Sequence, residues 1–217
     1  MVREPWKLTR EMFLATDEVE RLLAWLQLQV DQAPPGELTP RVDQFLIEAL
    51  VYSGLRNSEL WRLTLADTSL TLGQPVFRVA GTPREDRTVL LPALLDRRVR
   101  DYIEQVRPRL ERPPREPGSP SPTESPLLLN ERGRPYERTA LYRRVVRILS
   151  GAGLADRASV QLLRHTYGYL AYLRTGGNLL FVQRQLGHAH PMVTAVYAEF
   201  VDWPGQELAN RVVGTTG

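Results

Sequence analysis

Residues 160–173 read VQLLRHTYGYLAYL, a helix-length segment of Leu, Tyr, Val and Ala that Arg164 and His165 interrupt. This stretch constrains the fold more than any other. An architecture that buries it must also bury a guanidinium, which is costly unless an acid or an anion meets the charge. Both solutions stay open at this point. An acid would make Arg164 a structural residue, and a bound anion would make it a functional one.

The segments around it set the fold class. Residues 16–31 carry apolar positions at helical spacing behind a Thr-Asp start with acids in the first turn. RVDQFLIEALVYSG predicts a second helix over 41–53, stopped by Gly54, and LRNSELWRLTLADTSL a short third one with Asn57 or Ser58 as cap. PVFRVAG, TPRED and RTVLLP read as strand, turn and strand. Residues 94–110 are expected to be helical, up to the break at Pro113 and Pro114. The Pro- and Ser-rich stretch 112–126 reads as a mobile surface loop. A short strand LLLN, a turn ERGRP and a basic helix over 139–149 should follow, then helices near 159–175 and 178–187 and one around Tyr197. The expectation is one α+β domain over residues 1–217, mainly helical, with a small antiparallel sheet.

Composition narrows the chemistry. The 217 residues suffice for one large or two small domains, and 42% hydrophobic with 24% charged residues is ordinary for a globular protein. No apolar run reaches the length of a membrane span and MVREPWKLTR has no signal-peptide core, so no membrane association is expected. With no cysteine and three histidines, neither a metal nor another cofactor is expected, and the absence of thiols suits a cytoplasmic location. The net charge is +3, and Lys7 is the only lysine. Arginine forks onto phosphate oxygens and stays protonated, whereas lysine can give up a proton. A polyanionic partner is thereby permitted, not required.

Two further stretches carry candidate chemistry. In YSGLRNSEL, Arg56 stands at the mouth of a helix with Glu59 one turn on. The pair is either an exposed ion pair of little worth or an acid that orients a guanidinium. In LGHAHPMVTAVYAEF, Tyr197 is either a packing residue or a nucleophile whose attack needs cations from elsewhere in the chain.

Taken in order, Arg56, Arg164, His188 and Tyr197 resemble the tyrosine recombinase (phage integrase) family, its Xer-like members in particular. SGLRNSELWRLTLADTSL is similar to the family's first arginine box, and VQLLRHTYGYLAYL to its second, His-x-x-Arg-His-Thr-Phe. QRQLGHAHPMVTAVYAEF is similar to the Leu-Gly-His segment whose tyrosine lies nine residues past the histidine, as Tyr197 does here. The resemblance implies a DNA recombinase fold in which Tyr197 attacks a phosphodiester to give a 3′-phosphotyrosyl link. Arg56 and Arg164 would clamp the non-bridging oxygens, and His188 would bond the phosphate or assist proton movement. Glu59 and His165 would support them. It also implies double-stranded DNA as partner, a homo-oligomer (a tetramer) on DNA, and assembly through the C-terminal tail, where Phe200, Val201, Trp203, Leu208 and Val212 are apolar anchors. An N-terminal DNA-clamping domain of the family is expected to be absent from this chain.

Two positions depart from the family pattern. Gln161 stands where the second box has its first histidine; it donates a hydrogen bond but exchanges no proton near neutral pH. Thr82, in GTPREDR, stands where a hairpin lysine protonates the leaving oxygen, and Arg84 in the same turn is a poor general acid. The leading expectation remains an active recombinase; these departures, with the missing clamp domain, support as its alternative a catalytically impaired DNA-binding module on the same fold. A third alternative is an RNA- or protein-binding helical domain sharing only the scaffold. On the basic helix, Arg143, Arg144 and Arg147 are candidates for DNA backbone contacts, against plain solvated surface.

Overall fold

Helix α2 (Thr39–Ser53) is the centre about which the chain folds, because its Phe45, Leu46, Ile47, Ala49, Leu50 and Val51 are all buried. The computed structural model describes residues 7–71, 73–81, 86–111 and 125–202. Helices α1 (Thr16–Asp31) and α7 (Val160–Arg174) pack along α2. α1 is amphipathic as its spacing predicts, turning Val19, Leu22 and Leu26 inward. Its first turn is fixed by Glu18, whose carboxylate accepts from the Ala15 amide at 2.8 Å and also pairs with Arg10 and Arg157. α2 ends at Gly54, whose φ of 65° suits a residue without Cβ. A Cβ at Gly54 would stand 2.5 Å from Tyr167 Cδ1, so glycine is also what lets α7 approach.

After the short α3 (Asn57–Arg62) comes an antiparallel sheet of β1 (Thr68–Ser69), β2 (Val76–Val79) and β3 (Arg87–Leu90). Phe77 opposes Val89, and both are buried on the inner face, as the alternation of the sequence requires. The predicted helix over 94–110 is three pieces: α4 (Ala93–Asp101), a wider π-helical turn (Tyr102–Val106) and α5 (Arg107–Leu110). Within the π turn Tyr102 stacks on Phe45, with ring centroids 4.1 Å apart, and its hydroxyl accepts from the Leu129 amide.

The predicted strand LLLN does not form. Leu127, Leu128 and Leu129 are buried, but the pairing is limited to isolated bridges, Thr64 with Pro126 and Leu129 with Pro135. Prolines lack the amide that would extend a ladder. Most of the Pro- and Ser-rich segment, 112–124, lies outside the described residues, and Pro126 at its end belongs to one of these bridges. Helix α6 (Arg138–Gly151) is the predicted basic helix, and α8 (Leu179–Leu186) follows α7. The expected helix around Tyr197 is a short α9 (Pro191–Ala195) running into a 3-10 turn, Val196–Phe200. A second apolar cluster holds this end: Leu8, Phe13, Tyr167, Val182, Leu186 and Tyr197.

Candidate active site

The Arg56–Glu59 pair is a hub. Arg56 caps α3, and the Glu59 carboxylate accepts both its backbone amide (2.7 Å) and its Nη1 (2.6 Å). Arg87, the first residue of β3, lays its fork on the same carboxylate, Nη1 to Oε1 at 2.7 Å and Nη2 to Oε2 at 2.9 Å. Burial alone would raise the Glu59 pKa, but the bonds from Arg87 and the Arg56 amide, with the two cationic charges, hold it at about 2. Glu59 is therefore a fixed anion between two guanidiniums.

Around this hub lies an open cleft of about 920 Å³. Four arginines (Arg56, Arg62, Arg87, Arg184) and His188 line it, against two carboxylates, Glu59 and Asp86. The excess of positive charge gives the cleft a potential that suits an anion. His188 reaches it from the turn after α8, where Gly187 takes the left-handed conformation at φ 62°. His188 Nδ1 lies 2.9 Å from the buried Thr194 hydroxyl, which fixes the ring.

Arg164 stands behind the cleft wall. It is buried, and its hydrogen bonds go to backbone carbonyls: Nη1 donates to the Gly54 carbonyl at 2.5 Å and Nη2 to the Leu186 carbonyl at 2.6 Å. Both acceptors are at helix C-termini, those of α2 and α8, where backbone dipoles place partial negative charge. Glu59 Oε2 is 4.0 Å from Nη1, so Arg56 and Arg164 approach the same carboxylate. Burial and then the Arg56 charge push the Arg164 pKa down to about 9, which leaves it protonated at neutral pH.

Tyr197 is elsewhere. It is 1% exposed, packed in the second apolar cluster, and is not among the residues that line the cleft. Its ring rests on the backbone of α7 at Gly168, where a Cβ would fall 2.2 Å from Tyr197 Cζ. Its hydroxyl lies 3.1 Å from His165 Nδ1. Burial raises the phenol to about 12, against the opposing charge of Arg164. Burial and the Arg164 charge lower His165 to about 4, so the imidazole is neutral at physiological pH, and its tautomer sets which of the two groups donates. Of the four residues named from the sequence, the cleft gathers Arg56 and His188, has Arg164 behind it, and leaves Tyr197 stored in the core.

The supporting candidates divide. Glu59 is the hub, and His165 is Tyr197's partner. Gln161 is exposed in the first turn of α7 and lines two smaller hollows, one shared with Arg56 and Ser58 and one with His165. Thr82 and Arg84 lie outside the described residues, as do Trp203, Leu208 and Val212 of the tail. Phe200 packs edge-on against Phe13 of its own chain, with centroids 4.9 Å apart. On α6, Arg143 and Arg147 are exposed. Arg144 is a correction: it is buried, bonded to Asp43 at 2.5 Å and to Glu131, so it braces α6 against α2 and cannot reach a DNA backbone.

Sequence reasoning missed Arg87 as a part of the site. The alternation of β3 contained the clue, since Val89 is buried and residue 87 shares its face. Among the described residues no cluster of acidic and histidine side chains could hold a metal ion, and no helix is long and apolar enough to cross a membrane.

The sequence model of the phage integrase family matches residues 12–202. Tyrosine recombinase XerC of Halalkalibacterium halodurans is 33% identical over 185 residues, 85% of this chain and 56% of that protein. The chain spans about half the length of the curated relatives it matches. Among solved structures, the XerH site-specific recombinase bound to its palindromic difH substrate superposes with a TM-score of 0.70 at 22% identity, covering 96% of this chain and 57% of that one. The catalytic domain of bacteriophage HP1 integrase superposes with a TM-score of 0.52 at 19% identity, covering 91% of this chain and 93% of the other. These likenesses establish the fold: a mainly helical tyrosine-recombinase catalytic domain with a small antiparallel sheet.

Proposed function

Because the chain belongs to the phage integrase family, we propose that it cuts and rejoins DNA strands through Tyr197. The observation that carries this reading is the cationic cleft, in which Arg56 and His188 face the opening and Arg164 stands behind Glu59. A phosphodiester seated there puts its non-bridging oxygens against guanidinium donors, whose bonds tighten as charge builds in the transition state. Tyr197 Oη gives up its proton to the surrounding water or base as it attacks phosphorus, the bond to the 5′ oxygen breaks, and that oxygen takes up a proton, so the step is proton-neutral overall. The 3′-phosphotyrosyl link conserves the ester, and attack by a 5′-hydroxyl reverses it without nucleotide hydrolysis.

For this the phenol must leave its place against Gly168 and give up its bond to His165, so the stored arrangement is a resting state. Double-stranded DNA is the substrate, in a cytoplasmic setting, and the acting form is a homo-oligomer, a tetramer, joined through the tail. The test is a DNA duplex nicked beside the cleavage site, which traps the covalent intermediate. Wild type should give a protein–DNA adduct on a denaturing gel and Tyr197→Phe none. Binding without any adduct would favour the impaired DNA-binding module.

A further inference from the structure

We propose that Arg87 is a positioning residue of the cleft, holding the Glu59 carboxylate so that Arg56 keeps its charge for a phosphodiester. The inference rests on the reading of the cleft as a phosphate site. Glu59 is shared unequally. Arg56 gives the carboxylate one side-chain nitrogen, Nη1, and its guanidinium side chain is 31% exposed. Arg87 gives both terminal nitrogens, is 14% exposed, and donates Nε to the Gln185 carbonyl at 3.1 Å. Its stem lies across Gly187, where a Cβ would fall 2.8 Å from Arg87 Cδ. Arg87 is therefore clamped by β3, α3 and the end of α8 together. Its fork is spent on Glu59, whereas Arg56 still presents hydrogens to the cleft.

The electrostatic consequence follows from counting. With Arg87 in place, the guanidiniums of Arg56, Arg87 and Arg164 share the single Glu59 carboxylate, and the two-pronged bond from Arg87 takes up most of its acceptor capacity. Without it, the nearest cation for the Glu59 anion is Arg56, already bonded through Nη1. The carboxylate then draws Arg56 into a two-pronged pair of its own and takes one positive charge from the site. Arg87 thus acts on the phosphate through Glu59 and not by touching it. The loss of Arg87 should therefore be relieved by also removing the Glu59 charge. A direct phosphate contact, or a purely structural brace, predicts that Glu59→Gln gains no more in the Arg87→Met background than it gains in wild type.

The experiment titrates the full chain with inorganic phosphate and follows the Arg56 side-chain Nε–H resonance by NMR. Arg87→Met, which keeps the apolar stem over Gly187, should weaken phosphate binding about tenfold, the scale of one charge-assisted hydrogen bond. Arg87→Met with Glu59→Gln should recover to within about threefold of wild type. Arg87→Lys should fall between, since it keeps the charge but not the fork. Thermal melting of each variant reports its folding. No phosphate binding by wild type, unchanged binding in Arg87→Met, or a Glu59→Gln gain no larger in Arg87→Met than in wild type overturns the proposal. Adduct formation on nicked DNA is scored separately. Its failure in wild type counts against strand cleavage, while the phosphate titration still decides the role of Arg87.

Discussion

Gly168→Ala should unseat Tyr197. A Cβ on residue 168 would fall 2.2 Å from Cζ, 2.4 Å from Oη and 2.5 Å from Cε2 of that ring, distances no real pair of atoms accepts. The α7 backbone is held in place by its packing on α2. The ring must therefore swing out. Its burial is worth about 1.5–3 kcal/mol, and the bond to His165 about 1 kcal/mol. Against this, alanine improves an interior helix position by about 1 kcal/mol. The net loss is roughly 2 kcal/mol, which for a domain of this size lowers Tm by about 4–8 °C. The phenol should titrate differently as well. Burial holds Tyr197 up to about 12, so its neutral form contributes stability that is complete below about pH 10, the unfolded value, and is lost as pH rises toward 12. Gly168→Ala should return the phenol toward about 10. Ultraviolet alkaline titration of wild type and Gly168→Ala, each with and without Tyr197→Phe, isolates that one phenol. Adduct formation on nicked DNA should be faster in Gly168→Ala if storage limits attack. A variant with wild-type melting and an unchanged Tyr197 titration would refute the reasoning, because the ring would then have stayed where a Cβ forbids it.

His165 supplies an acid counterpart: burial and the Arg164 charge lower it from 6.5 to about 4. Its neutral form contributes stability that is complete above pH 6.5 and is lost as pH falls toward 4, so Tm should drop across that window and His165→Asn should flatten the drop. Arg144→Ala should destabilise the fold by about 3 kcal/mol or more, through the stranded Asp43, while leaving the salt dependence of DNA binding unchanged. By contrast Arg143→Ala and Arg147→Ala should spare stability and each reduce the salt slope by about 1 if they contact phosphates. Thr82→Lys should speed cleavage of ordinary DNA, by as much as about 100-fold. It should do little on a substrate with sulfur at the 5′-bridging position, since a thiolate leaves without a proton; equal gains on both substrates would reject a missing general acid.

The sequence read well where one periodicity governs a segment. α1, α2 and the β2–β3 hairpin are legible because their apolar positions recur at helical or alternating spacing and their ends carry Gly54 or a turn. It read poorly where tertiary contacts choose between close alternatives. Leu127–Leu129 has strand composition, yet prolines at 126 and 135 limit it to single bridges. The Leu94–Leu110 helix widens at Tyr102, which stacks on Phe45, a residue distant in sequence. For Arg164 the sequence stated the problem correctly, a buried charge, and the solution was out of view: carbonyls at two helix ends carry no side-chain signature. Arg144 misled for the opposite reason. On a basic helix its charge looked solvated, and only Asp43 and Glu131 reveal that it faces inward.

The glycines were the least exploited clue. A glycine inside a helix costs about 1 kcal/mol against alanine, and Gly168 sits in the middle of α7 with no turn to justify it. Something must therefore lie against the helix there, and it is Tyr197. The same helix carries Arg164 four residues earlier and His165 three residues earlier. One side of α7 thus carries both Gly168, against which the Tyr197 ring rests, and, one turn earlier, Arg164 behind the cleft. Tyr197 and Arg164 also sense each other electrostatically, the guanidinium charge lowering the phenol and a phenolate raising the guanidinium. On the proposed reading, moving the tyrosine toward a phosphate held by Arg56 and Arg164 removes it from His165 and Gly168 but keeps it near Arg164, a cation that favours its ionised form. Storage and attack are, on that reading, two positions of one side chain, and variants at Gly168, which does not line the cleft, should shift the balance between them.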